Sequence, residues 1–279
     1  MKRIICFLAA VALSAVGLSA CAQPESTAYL AKSSDNGAES QVSAQLYEKE
    51  YFSGDGKVLL GKYKYTVPQM AASGEEPLAQ DIADAFNEEV DALLEEKIDS
   101  WDDAMEDALE FYESGGSASW AEGIYWTDEM SYAANQTEAL LNVRYEHYVY
   151  SGGAHGYTYY TSQMFALKEG CPVTLAEMAA DTESLRKTVA DEILRQIETE
   201  DLAVQYGYWS DYAAYVNEWM DDHSVYFLPE EEGGGMEIIF PAYELASYAA
   251  GPQTFVVDAA VYAPCLNDYG RLLLGLADA

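Results

Sequence analysis

The chain has 279 residues, with 14 lysines and arginines against 48 aspartates and glutamates, and a formal net charge of −34. A surface this acidic repels nucleic acid, anionic lipid and anionic wall polymers, so recognition of a polyanion through a basic patch is excluded. The same field draws cationic proteins inward at low salt.

Lys2 and Arg3 precede a small-apolar run from Ile4 to Gly17, the pattern of a secretory leader and too short for a comfortable membrane span. The run ends in Leu18-Ser19-Ala20-Cys21, which resembles a bacterial lipobox, in which Cys21 receives lipid and becomes the new first residue. A plain signal peptide would serve export equally but has no need of that cysteine. The expectation is a signal peptide over 1–20 and an extracytoplasmic chain tethered to the membrane through Cys21, each buried CH2 of the acyl chains contributing ~0.8 kcal/mol. Loss of Lys2 and Arg3 takes the net charge from −34 to −36. Residues 21–43 are polar and poor in bulky apolar side chains, as a flexible stalk would be. No other run is long and apolar enough to cross a membrane.

The remaining roughly 235 residues are enough for one large or two small domains with real cores. Two halves are expected, 44–135 and 136–279. In the first, Ala44 to Phe52 and Lys57 to Val67 are strand-like and joined by Ser53-Gly54-Asp55-Gly56, whose Asp-Gly is a strong hairpin signal; Pro68 is expected to stop the second strand. Apolar residues from Leu78 to Tyr112, among them Phe86, Val90, Trp101 and Met105, recur at steps of three to five. That spacing predicts an amphipathic helix from about Pro77 to Tyr112, ended by Gly115-Gly116, with a mostly acidic, solvated outer face.

In the second half, Leu141, Val143, Tyr145, His147 and Val149 alternate with polar neighbours, the period of a half-buried strand, which places His147 on the apolar face as a core imidazole. Tyr157 to Leu167 returns antiparallel to it. The connection Ser151-Gly152-Gly153-Ala154-His155-Gly156 is too long and glycine-rich for a minimal hairpin turn; its glycines permit positive φ and close approach of another chain. Thr174-Leu175-Ala176-Glu177 has the form of a capping box, and Asp181 caps a helix reaching about Glu200. A helix over Ser210 to Met220 follows, then strands at Ser224 to Leu228, Met236 to Phe240 and Thr254 to Val257, and a closing helix near Leu266 to Leu276. Strands and helices come in blocks, which predicts an α+β fold with a mainly antiparallel sheet covered by helices.

Cys6 leaves with the leader and Cys21 is taken by lipid, so Cys171 and Cys265 remain, as one disulfide or as two free thiols. There is no C-x-x-C pair and no Cys/His cluster, so neither a structural zinc nor another cofactor is expected. No G-x-S-x-G elbow, H-E-x-x-H or phosphate-binding loop is present, and with 48 acids carboxylate pairs discriminate nothing. His223, after Asp221-Asp222, is expected at a solvated helix end.

The order of a strand with a YSGGAHG turn, a returning strand, a TLAEM helix start, an acidic glycine turn and then FPAYELASYAAGPQ resembles the extracytoplasmic region of RsiV-type anti-sigma factors. The same two-part module stands ahead of the catalytic domain in some peptidoglycan deacetylases of the PdaC type. The resemblance runs from about Val42 to the C terminus. It implies a binding module that recognises host lysozyme, a small basic enzyme, with Ser151, Gly152, Gly153, Ala154, His155, Gly156, Pro241 and Tyr243 supplying the contact surface. This chain carries neither a transmembrane helix with a sigma-binding segment nor a deacetylase domain, so the module is expected alone on a lipid tether.

Composition leans the same way. Tyrosine is frequent, 23 of 279 residues, and groups around the glycine turn (Tyr145, Tyr148, Tyr150, Tyr157, Tyr159, Tyr160) and at Tyr243, Tyr248 and Tyr262; exposed tyrosine is favoured at protein and sugar interfaces. The leading expectation is therefore a non-enzymatic surface lipoprotein that binds lysozyme or a similar basic wall-active protein. A peptidoglycan glycan-binding module is the alternative, and an accessory to a wall hydrolase or deacetylase the next.

Overall fold

The computed structural model describes residues 42–72, 77–116, 120, 122–222, 225–229 and 234–276. The expected leader, Cys21, most of the stalk, His223 and residues 230–233 lie outside them. Among the described residues no helix is long and apolar enough to cross a membrane.

The first sheet has six strands in chain order: β1 (Val42–Phe52), β2 (Leu59–Met70), β3 (Trp126–Gln136), β4 (Leu140–Tyr150), β5 (Tyr157–Ala166) and β6 (Cys171–Pro172). All pairs are antiparallel except β2 with β3, where helix α1 (Pro77–Glu113) makes the crossover. α1 buries Phe86, Val90, Leu94, Trp101, Met105 and Ala108 against one face of this sheet. Its C-terminus is closed by Gly115 at φ +90°, with the Gly116 amide donating to the Phe111 carbonyl at 2.9 Å.

Two expectations change here. Pro68 does not end β2; it sits opposite Ala44 in the ladder with β1. Pairing of β2 with β3 stops at Tyr65, so beyond that point one side of β2 carries no ladder and a missing N–H costs nothing there. β3 was not anticipated. Its sequence, WTDEMSYAANQ, buries Thr127 and Asp128 in succession and shows no simple alternation.

The chain continues through α2 (Leu175–Met178), α3 (Thr182–Thr199), α4 (Leu202–Tyr206), α5 (Tyr212–Asn217) and α6 (Trp219–Asp222). A three-stranded antiparallel sheet follows, β7 (Val225–Phe227), β8 (Met236–Phe240) and β9 (Gln253–Val257), and then α7 (Ala259–Tyr262) and α8 (Asp268–Leu273). The capping box at Thr174 forms, the Glu177 carboxylate accepting from the Thr174 amide at 2.8 Å, and Asp181 caps α3 by accepting from the Ser184 amide at 2.7 Å. The helix expected over Ser210 to Met220 is broken into α5 and α6 at Glu218.

The fold is α+β, and its two hydrophobic cores share one hairpin. Odd-numbered residues of β4 and β5, Leu141, Val143, Tyr145 and Phe165, face α1; the even-numbered Leu140, Met164 and Ala166 face a second core built on α3 and β7–β9. The sheet thus runs unbroken across position 135. The second face of β4 and β5, where the polar residues alternate, is partly covered. The edge strand β7 docks on it: the Phe227 amide donates to Asn142 at 2.6 Å, the Phe227 carbonyl accepts from Asn135 at 2.9 Å, and the Val225 amide donates to Ser162 at 3.1 Å. Side chains of one sheet thereby satisfy the free backbone edge of the other, and the Arg144–Glu237 ion pair closes the junction.

Candidate functional site

The glycine turn is shaped by its own backbone. Gly152 and Gly153 adopt φ of +102° and +90°, and the Tyr150 hydroxyl donates to the Gly153 carbonyl at 3.0 Å. Gly156 is buried beneath the Tyr148 ring, where an added Cβ would lie 2.5 Å from ring atoms. That packing turns His155 outward.

The His155 ring is held from three directions. Its Nδ1 lies 3.1 Å from the Gly156 carbonyl, which can only accept, so Nδ1 carries a proton. Its Nε2 is 3.0 Å from the Tyr243 hydroxyl, and Tyr248 stacks on its face at 3.6 Å and 12°. Tyr243 and Tyr248 are themselves 5.5 Å apart. Residues 88 positions apart in sequence thus form one three-ring group, with Tyr243 51% and Tyr248 36% exposed.

Tyr243 reaches this place at a conformational cost. Its φ is +79°, rare for any residue with a bulky side chain. The turn is fixed because Ala242, Leu245 and Ala246 are buried on either side, and because Trp209 grips it. The Trp209 indole donates to the Tyr243 carbonyl at 3.1 Å and its amide to the Leu245 carbonyl at 2.8 Å. A non-glycine residue in this region of backbone space, kept by surrounding packing, is a pattern found at binding sites.

The residues expected to form the contact surface divide. Ser151, Gly152, Gly153, Ala154, His155 and Tyr243 are exposed, whereas Gly156 and Pro241 are buried and act as supports. Trp209, 41% exposed, belongs to the surface and was not anticipated. Its sequence signal was the run Tyr206-Gly207-Tyr208-Trp209, an aromatic cluster around a helix-ending glycine at φ +66°. Tyr157 adds a further exposed ring, and its hydroxyl is pushed up from the usual phenol range by partial burial and then by Glu244.

His147 has a different fate. It is 1% exposed, bonds Thr161 at 2.8 Å through Nε2 and stacks flush on Tyr159 at 4.4 Å and 2°. Burial, with the Lys97 charge nearby, lowers its pKa to about 4. Lys97 projects from the inner face of α1 and pairs with Asp128 at 2.7 Å; the same carboxylate accepts from Tyr65 at 3.0 Å. Desolvation is the largest influence on Asp128 and raises its pKa despite both partners.

Cys171 on β6 and Cys265 are free thiols. Cys265 lies against α3, donating to the Thr188 hydroxyl at 3.4 Å. Among the described residues no three His, Cys, Asp or Glu side chains converge as metal ligands would.

No protein-family description matches the sequence, and no curated protein is significantly similar to it. The fold, however, is shared with DUF3298 proteins. A member of that family from Bacteroides fragilis NCTC 9343 superposes with a TM-score of 0.59 at 14% identity, over 85% of this chain and 96% of its own. A DUF3298 family protein from Pseudomonas aeruginosa PAO1 gives 0.50 at 13% identity, over 81% of this chain and 94% of its own. At such identities the likeness establishes the architecture and leaves the ligand to the chemistry of the surface.

Proposed function

We propose that this chain is a lipid-anchored extracytoplasmic binding protein, and that the surface around His155, Tyr243 and Tyr248 recognises lysozyme or a similar basic wall-active protein. The observation that carries this reading is the three-ring group itself. Two segments distant in sequence meet outside both cores, and one of them holds a strained backbone to do so. Rigid, half-exposed tyrosines supply large contact area at low entropic cost, and the net charge of −34 favours a cationic partner reached at an enhanced rate. The resemblance to RsiV-type modules supplies the partner class, and no chemical step is assigned to the protein.

Titration with a basic animal lysozyme at low salt tests it. A saturable complex is expected, weakened by salt and lost roughly tenfold or more in Tyr243→Ala. Absence of a complex, or identical behaviour of Tyr243→Ala, sinks the proposal. One feature favours a second reading: the exposed Trp209 ring beside Tyr243 could stack a sugar. Retention on purified peptidoglycan without affinity for lysozyme would select it.

A further inference from the structure

The opposite edge of the six-stranded sheet carries a second surface. β1 pairs with β2 from Val42 to Phe52, and among the described residues nothing pairs with its other side. Exposed sheet edges are ordinarily kept short or guarded by prolines, bulges and lysines pointing into solvent. β1 is eleven residues long, contains no proline, and its single lysine, Lys49, is turned onto Asp102 of α1 at 2.7 Å. Its one irregularity falls at the very end, between Tyr51 and Phe52. Leu46 and Phe52 are 51% and 45% exposed along it.

Beside the C-terminal half of β1 lies an open cleft of about 380 Å³ between the strand and α1, with Phe52, Leu60, Met105 and Leu109 as its apolar lining; the Lys49–Asp102 pair neutralises itself at its border, which leaves the exposed Glu50 and Glu106 as its uncompensated charges. A free ladder, an apolar floor and an acidic rim occur together. We propose that this edge binds an extended segment of a cationic partner by strand addition, the backbone pairing with β1 and the side chains alternating between apolar and basic. Main-chain bonds would supply affinity and the alternate side chains specificity. A second copy of the chain is disfavoured as occupant, because each copy brings a net charge of −34. The surface is separate from the one around Tyr243, so either proposal can fail alone.

The test is fluorescence anisotropy with a labelled ten-residue peptide of alternating lysine and valine, titrated with the full chain at low salt. Saturable binding is expected, weakened about tenfold by the double variant Glu50→Lys/Glu106→Lys and unchanged in Tyr243→Ala. Two N-methylated peptides give the decisive contrast, since a strand added at one edge turns only alternate amides toward β1. Methylation of one alternate set should reduce binding about tenfold or more, while methylation of the other set is tolerated. This arm needs no variant protein and so is indifferent to folding. The proposal is overturned by lack of saturable binding, by equal binding of both methylated peptides, by loss of binding in Tyr243→Ala, or by a dimer in sedimentation that the double variant disperses.

Discussion

The body and the tip of one hairpin hold two histidines eight residues apart in contrasting states. Each stacks on a tyrosine and each bonds a hydroxyl: His147 with Tyr159 and Thr161, His155 with Tyr248 and Tyr243. His147 takes both partners from the adjacent strand and is buried beside the Lys97–Asp128 pair, whereas His155 takes its partners from the segment between β8 and β9 and is open to solvent. The same local chemistry therefore serves stability in one place and surface presentation in the other. What separates them is burial, which fixes the cost of removing any partner.

The largest effect should fall at the body. Lys97→Met leaves the Asp128 carboxylate buried without its cation, with one oxygen already lacking a partner. A loss of about 3–5 kcal/mol is expected, seen as a fall of roughly 10 °C in melting temperature. Lys97→Met/Asp128→Asn should recover most of it. If the single variant melts within about 2 °C of the parent, the pair does not anchor the buried interior.

The next effect is a pH dependence confined to the same region. The folded-state pKa of His147, about 4, lies below its usual 6.5, so its contribution is complete above about pH 6.5 and is lost as pH falls toward 4. The slope approaches about 1.4 kcal/mol per pH unit in that window. Asp128, whose pKa is raised, works in the opposite sense just above the ordinary carboxylate range. The difference in stability between the parent and His147→Gln, measured from pH 7 to 4.5, isolates the histidine. A difference that does not change with pH would show that the imidazole is not held neutral by burial.

Sequence pattern and structure agree where a residue's role is set by its neighbours. The alternation from Leu141 to Val149 gave β4 and the inward face of His147, and the Thr174 and Asp181 caps marked two helix starts, because period and capping are local physics. β3 escaped because Asp128 interrupts the inward series Trp126, Met130, Tyr132 and Ala134, and Thr127 is buried beside it, so the alternation is broken at the start of the strand. At the site, the glycine turn announced itself through composition. That Pro241 and Gly156 would be supports, and that Trp209 would clamp Tyr243, depends on long-range packing with no short-range signature.

At the tip, Gly156→Ala sharpens the contrast. An added methyl would meet the Tyr148 ring at 2.5 Å, and displacing the ring should cost about 1–3 kcal/mol while reorienting His155. Loss of partner binding greater than the loss of stability would mark Gly156 as a support for the surface; equal losses would make it an ordinary packing glycine.

The smallest effect tests whether the tip stores strain. Tyr243 holds φ at +79°, a conformation that costs a residue with a Cβ about 1 kcal/mol and costs glycine almost nothing. Truncation to alanine and truncation to glycine remove the same ring and the same bond to His155, so binding should fall alike in both. Stability should not. Relief of the left-handed backbone favours Tyr243→Gly, while the greater freedom of glycine in the unfolded chain opposes it. The local conformation should prevail, leaving the glycine variant more stable than the alanine variant by up to about 1 kcal/mol in denaturant titrations. The reverse order would mean that the turn relaxes once the ring is gone, and that the Trp209 clamp does not by itself enforce the geometry which carries Tyr243 to His155.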